Sequence, residues 1–140
     1  MKLVFEKMLV DNEERIRELL SEYAETYNDA VSEHMSEFFV DCGEALGLIM
    51  VNEEFLMKRL NVSRSDAKLL IKRAYDNAVA YGENEYDYYD DGEREYSWET
   101  HYQLFYSPIY DSFAMFVVIL TFDEESNLAH FDFLWRTKIW

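Results

Sequence analysis

Residues 112–122, SFAMFVVILTF, hold no charged side chain in a chain whose net charge is −16. This uncharged stretch of 11 residues is about half the length a helix needs to cross a bilayer. From Phe113 onward it is apolar at odd and even positions alike, the pattern of a strand covered on both faces. A chain built around such a strand must supply cover for each side of it. The 49% apolar content over 140 residues is enough for a core of that kind and fits a single domain. Four Gly and one Pro, Pro108, leave no flexible linker, so long regular elements are expected.

The cover is read from the first half of the chain. Residues 11–50 show helical periodicity. Asp11 serves as an N-cap with Glu14 three residues on, and Ile16, Leu19, Leu20, Tyr23, Tyr27, Val31, Met35, Phe38 and Cys42 recur at spacings of three and four. Glu18, Glu22, Glu25, Asp29, Glu33 and Glu37 fall on or beside the opposite face, and no Lys or Arg occurs between Arg17 and Lys58. Gly43 and Gly47 end or bend this helix and leave a short apolar piece, 45–50. The pattern fits one rod or two packed pieces. Asn52 caps a second helix over 53–60, Asn61 takes the positive φ of a tight turn, and Ser63 caps a third helix with Asp66 at its N3 position. Ala67, Leu70, Ile71 and Ala74 form the inner face of that helix, which Gly82 stops after about Tyr81.

Beyond residue 82 the period changes to two. Residues 85–89 and 93–98 flank Asp90-Asp91-Gly92, a hairpin signal, and further strands are expected at 100–107, 113–122 and 127–137. In the last of these Ala129, Phe131, Phe133 and Trp135 alternate with His130, Asp132, Leu134 and Arg136, so one face meets water or a partner. Pro108 suits an edge or a bulge. The fold class is α+β: a mainly helical part, 1–82, followed by an antiparallel part, 83–140, of about four or five strands.

Residues 55–74, FLMKRLNVSRSDAKLLIKRA, resemble a helix-turn-helix unit. Leu56 and Leu60 take the inner positions of its first helix, Asn61 the turn, Val62 the apolar plug and Leu70 the inner face of the second helix. The resemblance implies outward positions at Arg64, Ser65, Lys68 and Lys72, suited to bases and phosphates. Met57 departs from the motif, which takes a small residue there, and Leu69 projects to the nucleic-acid side. Residues 56–73 carry six cations against Asp66, a net +5, but the blocks on either side, 11–54 and 76–99, carry −11 and −8. A duplex docked on the basic helix would meet both within a Debye length of about 8 Å. Direct nucleic-acid binding is therefore disfavoured, and the cations are expected to pair with their acidic neighbours.

The second acidic feature is ENEYDYYDDGEREYSWE, residues 83–99. Alternation sets Tyr86 and Tyr88 on one side and Glu85, Asp87 and Tyr89 on the other, with Asp90, Asp91, Glu93 and Glu95 completing the charge. Carboxylates a few ångströms apart imitate the spacing of a phosphate backbone, and Tyr supplies rigid contact area for protein interfaces. The charge exceeds the magnitude of about 2 to 8 that solubility asks of a small domain. In size and charge the chain resembles the small acidic inhibitors of phages and mobile elements: DNA mimics, anti-CRISPR proteins and inhibitors of restriction or repair enzymes. That resemblance is compositional and implies a basic nucleic-acid-binding protein, a nuclease or CRISPR-type effector complex, as partner. A homodimer through the exposed sheet face is the structural alternative.

Catalytic signals are lacking. Asp87 to Gly92 has the start of a calcium loop, but Tyr89 and Trp98 stand at its third and twelfth positions. His34, His101 and His130 have no metal-ligand spacing, and no P-loop or GxSxG occurs. A non-enzymatic protein without cofactor or metal is expected. The lone Cys42 and the early charge at Glu6, which precludes a secretory core segment, point to a reducing, cytoplasmic setting.

Overall fold

The computed structural model describes residues 2–86 and 96–140, and the side chains of 4–80 and 96–140. Its elements are α1 (Lys2–Asp11), α2 (Glu13–Tyr27), a 3₁₀ segment (Asn28–His34), α3 (Met35–Leu46), β1 (Ile49–Met50), α4 (Glu53–Leu60), α5 (Arg64–Tyr86), β2 (Ser97–Ser107), β3 (Ser112–Phe122) and β4 (Leu128–Arg136). The strands form one antiparallel sheet in the order β1-β2-β3-β4. The fold is α+β, with most helices preceding an antiparallel sheet.

The uncharged stretch is β3, and Ala114 to Phe122 are all buried. Its side chains divide between two cores. Ala114, Phe116, Val118, Leu120 and Phe122 pack with Phe105 and Phe133 beneath α1, α2 and α3. Met115, Val117 and Ile119 pack with Leu104 and Tyr106 beneath α4 and α5. Helices therefore lie on both faces, the cover that the strand's two apolar sides demand.

Every member of the predicted helical stripe reaches the first core, from Ile16 and Leu20 to Phe38 and Cys42. The helix carrying it is not a rod. Asn28 adopts φ 43°, ψ −110° after α2, and the chain passes through the 3₁₀ segment into α3. The stripe persists because the reversal keeps the same residues inward. The helix start at Asp11 also differs: Asp11 ends α1, and Asn12, whose side chain donates to the Met8 carbonyl at 2.8 Å, precedes α2. Of the two glycines, Gly47 ends α3 at φ 68°. Gly43 stays inside the helix, where a Cβ would lie 3.2 Å from the Phe105 ring and from the Leu48 carbonyl oxygen. It permits close approach of α3 to the sheet.

The second helical pair forms as the caps dictate. Phe55 N–H donates to Asn52 Oδ1 at 2.8 Å, Asp66 N–H donates to Ser63 Oγ at 3.1 Å, and Asn61 turns the chain at φ 54°. Ala67 and Ala74 are buried, with Leu70 and Ile71 packed beside them. Leu60, expected on the inner side, is exposed. Gly82 does not stop α5, which continues to Tyr86, so Glu85 and Tyr86 are helical where a strand was expected. The remaining hairpin residues, Asp87, Tyr88, Tyr89, Asp90, Asp91, Glu93 and Glu95, lie outside the described residues. The strand expected at 93–98 is strand from Ser97, where it joins the one expected at 100–107 in a single β2. Pro108 sits in the turn between β2 and β3, not at an edge or bulge.

Candidate functional site: an acidic cleft between two helices

α2 and α3 pack against one another in opposite directions. Tyr23 meets Phe38 edge-on, with ring centroids 5.6 Å apart, and its hydroxyl donates to the Asp41 carboxylate. Nearer the start of α2, Ile16 and Leu19 face Cys42, Ala45 and Leu46 across an open cleft of about 450 Å³. The same apolar stripe that seats both helices on the sheet provides its floor.

The walls are acidic. Glu18 and Glu22 from α2 line one side and Asp41 and Glu44 from α3 the other, with Arg15 the one cation among the described residues of the lining. Glu37, one turn before Asp41, lies close enough to act electrostatically on Tyr23. Burial first, then the Asp41 hydrogen bond and the surrounding negative charge, push the Tyr23 phenol well above its ordinary 10.0. Burial, reinforced by Asp41, raises the Cys42 thiol to about 12. A thiol held protonated beneath carboxylates is no nucleophile.

The six residues singled out on the acidic face, Glu18, Glu22, Glu25, Asp29, Glu33 and Glu37, are all exposed. The structure distributes them over α2, the 3₁₀ segment and α3, and brings only Glu18 and Glu22 into the cleft. Asp41 and Glu44 were missed. They flank Cys42 on the stripe, and their meeting with α2 depends on the reversal at Asn28. The Ser32 hydroxyl donates to the Glu99 carboxylate, which ties the 3₁₀ segment to the start of β2, directly after the acidic stretch 83–95 in sequence. Glu25, Asp29, Glu33 and Glu44 form no ion pair among the described residues, nor do Glu18 and Glu22.

The cations of the helix-turn-helix-like pair lie in the layer on the other face of the sheet. Arg64, Ser65, Lys68, Leu69 and Lys72 are exposed there. Arg64 Nη1 lies 3.1 Å from Glu53 Oε1, its Nη2 lies 4.0 Å from Glu54, and Lys72 Nζ lies 2.6 Å from Asp76. Arg59 is held by Asp111 and Tyr106, and hydrogen bonds donated by Tyr106 and by Arg59 depress the Asp111 carboxyl below its usual value. Two of the three proposed phosphate-facing cations are thus engaged by neighbouring acids.

Among the described residues no group of three or more His, Cys, Asp or Glu side chains could hold a metal ion, and no helix is long and apolar enough to cross a membrane. Comparison with known proteins gives no match to a family model, to a curated protein or to a solved structure.

Proposed function

We propose that this chain is a non-catalytic binding protein that occupies the basic nucleic-acid-binding surface of another protein, such as a nuclease or a CRISPR-type effector. One contrast carries this proposal. The cleft acids Glu18, Glu22 and Glu44 stand exposed with no ion pair among the described residues, whereas Arg64 and Lys72 on the opposite layer are engaged. Uncompensated carboxylates raise a potential that attracts cationic surfaces and repels phosphate. The break at Asn28 changes the form of the mimicry: charge is presented on two packed helices, not along one rod. A cleft with carboxylate walls and an apolar floor suits a guanidinium or ammonium group on an aliphatic stem. The acidic stretch 83–95 extends the same sign of charge along the chain.

The test uses a DNA-binding nuclease and a labelled duplex. The chain is expected to displace the duplex, less effectively as salt rises. Glu18→Lys together with Glu44→Lys should weaken displacement by about tenfold or more, the scale of about 1.4 kcal/mol. Displacement that is independent of salt and of both reversals would refute the proposal. The α4–turn–α5 geometry keeps a second possibility, a helix-turn-helix regulator reading duplex DNA through Arg64, Lys68 and Lys72. It requires the chain itself to retard duplex DNA at moderate salt and Arg64→Glu to stop it.

A further inference from the structure

Two neighbouring rings of β4, Phe133 and Trp135, pack into the core beneath the acidic layer, and only one of them has a cation. Phe133 is buried, and the Arg17 guanidinium stands 4.9 Å over its ring. Two carboxylates hold that guanidinium, Glu13 Oε1 at 3.5 Å and Asp132 Oδ1 at 3.7 Å. A guanidinium on a ring, neutralised by an acid from the helix above it, is a cation–π arrangement completed within the chain.

Two residues on, Trp135 repeats the aromatic half of that arrangement. Its half-buried indole stacks on Phe116, with ring centroids 4.2 Å apart, and lines an open cleft of about 410 Å³ between β4 and the first two helices. Glu6 supplies the acid. It stands seven residues before Glu13, two turns along the helical face, and the Thr137 hydroxyl donates to its carboxylate at 2.6 Å, which sets it beside the end of β4. Leu9 and Val10 lie between the two acids in the lining, Leu9 buried and Val10 64% exposed. The described residues of the lining include no cation, and Glu6 forms no ion pair among the described residues.

We propose that Glu6 and Trp135 form a receptor for the guanidinium of an arginine side chain carried by a partner polypeptide. Arg17 fills the position over Phe133 and is held there, which leaves the position at Trp135 for a cation from outside. Arginine fits it on three counts: its planar head stacks on an indole, its fork of donors meets a carboxylate, and its aliphatic stem covers Leu9 and Val10. The free amino acid brings a carboxylate of its own, which Glu13 and a net charge of −16 repel; an arginine within a polypeptide does not. This cleft is separate from the one between α2 and α3, and its occupancy does not require the partner proposed above.

Nuclear magnetic resonance of the nitrogen-labelled full chain tests the receptor. The three Trp give three indole N–H signals, assigned with Trp98→Phe and Trp140→Phe. Added N-acetylarginine amide should move the Trp135 signal more than the other two. The initial slope of that shift with concentration should be at least about tenfold steeper than for N-acetylnorleucine amide, which has an aliphatic stem and no charge. Glu6→Gln keeps an acceptor for the Thr137 hydroxyl but loses the charge, so it should cut the slope by about tenfold while near-ultraviolet circular dichroism stays native. Glu18→Lys with Glu44→Lys, aimed at the α2–α3 cleft, should leave the Trp135 response in place, so the two proposals fail separately. An unmoved Trp135 signal, an equal slope with the norleucine probe, or a folded Glu6→Gln chain that responds as the parent does would overturn the inference. A steeper response to L-arginine than to the capped probe would overturn the assignment to a polypeptide side chain.

Discussion

The two helical layers cover one sheet with opposite solutions to the same demand. Residues 2–46, which form α1, α2, the 3₁₀ segment and α3, carry twelve acids against four bases, whereas residues 53–80 of α4 and α5 carry six bases against four acids. Their cores differ too. The acidic layer rests on rings, Phe5, Phe38, Phe39, Phe105 and Phe116, while α5 lays Ala67, Ala74 and Ala78 on Leu104, Met115 and Val117. Small residues bring α5 close to the sheet, and large rings fill the space beneath helices that reverse at Asn28. Burial is satisfied on both sides without help from surface charge. The unpaired acids on one layer are therefore not needed for packing, which leaves them available to the partner proposed above.

The largest expected effect tests the difference between the cores. Phe116 contacts five rings, those of Phe38, Phe39, Phe105, Phe133 and Trp135. Phe116→Ala should cost about 3–5 kcal/mol in urea unfolding, because a wall of rings cannot collapse into the cavity. Val117→Ala, one residue on and facing the other layer, should cost about 2 kcal/mol from its two buried methyl-sized groups and a smaller void. Equal losses would mean that the aromatic core contributes no more than its aliphatic counterpart.

Smaller losses probe the second layer's local chemistry. Asn52→Ala and Ser63→Ala each remove a side chain that accepts a first-turn N–H, from Phe55 and Asp66 respectively. Each should cost about 1 kcal/mol. A loss at Ser63 well below that at Asn52 would show that α5 is held by its packing on the sheet and not by its cap.

What was legible in the sequence follows from how local each cause is. Caps at Asn52 and Ser63, the turn at Asn61 and the two-sided β3 are set by neighbours in sequence, so periodicity and cap chemistry located them. The stripe from Ile16 to Cys42 was legible as a buried face, but the reversal within it was not. A spacing of three and four survives when a helix breaks and resumes in phase, and only Asn28 betrays the break. α1 went unread although Phe5, Met8 and Leu9 have helical spacing and reach the core. The cleft was half legible: Glu18 and Glu22 stand out as charge, while Asp41 and Glu44 acquire meaning only when α3 turns back on α2.

Alkaline titration tests whether the acidic layer feels its own field. Tyr23 has a folded-state pKa above its unfolded value of 10.0, with burial the main cause and Asp41 the next. A group of this kind contributes stability in full below pH 10 and loses it as pH rises through the unfolded and then the folded value. The urea midpoint should therefore fall as pH rises above about 10, and Tyr23→Phe should flatten that fall. An unchanged slope in Tyr23→Phe would place the alkaline loss elsewhere and separate Tyr23 from the charge around the cleft.

The smallest effect asks whether the cationic layer depends on its ion pairs. Arg64 bridges the start of α5 to Glu53 and Glu54 of α4, but its side chain is 53% exposed and that of Glu54 is 73% exposed. Water competes for both charges, and two long side chains must be ordered to meet, so Arg64→Gln should cost only about 0.2–1 kcal/mol. The caps and the buried Ala67, Ala74 and Leu56 would hold the pair together without it. Added salt, which screens exposed charges beyond about 10 Å or less, should shrink even that loss. A loss well above 1 kcal/mol that persists in high salt would make the α4–α5 layer dependent on its cations for folding. The contrast between the layers would then lie in what each charge supports, not in which of them is left free for a partner.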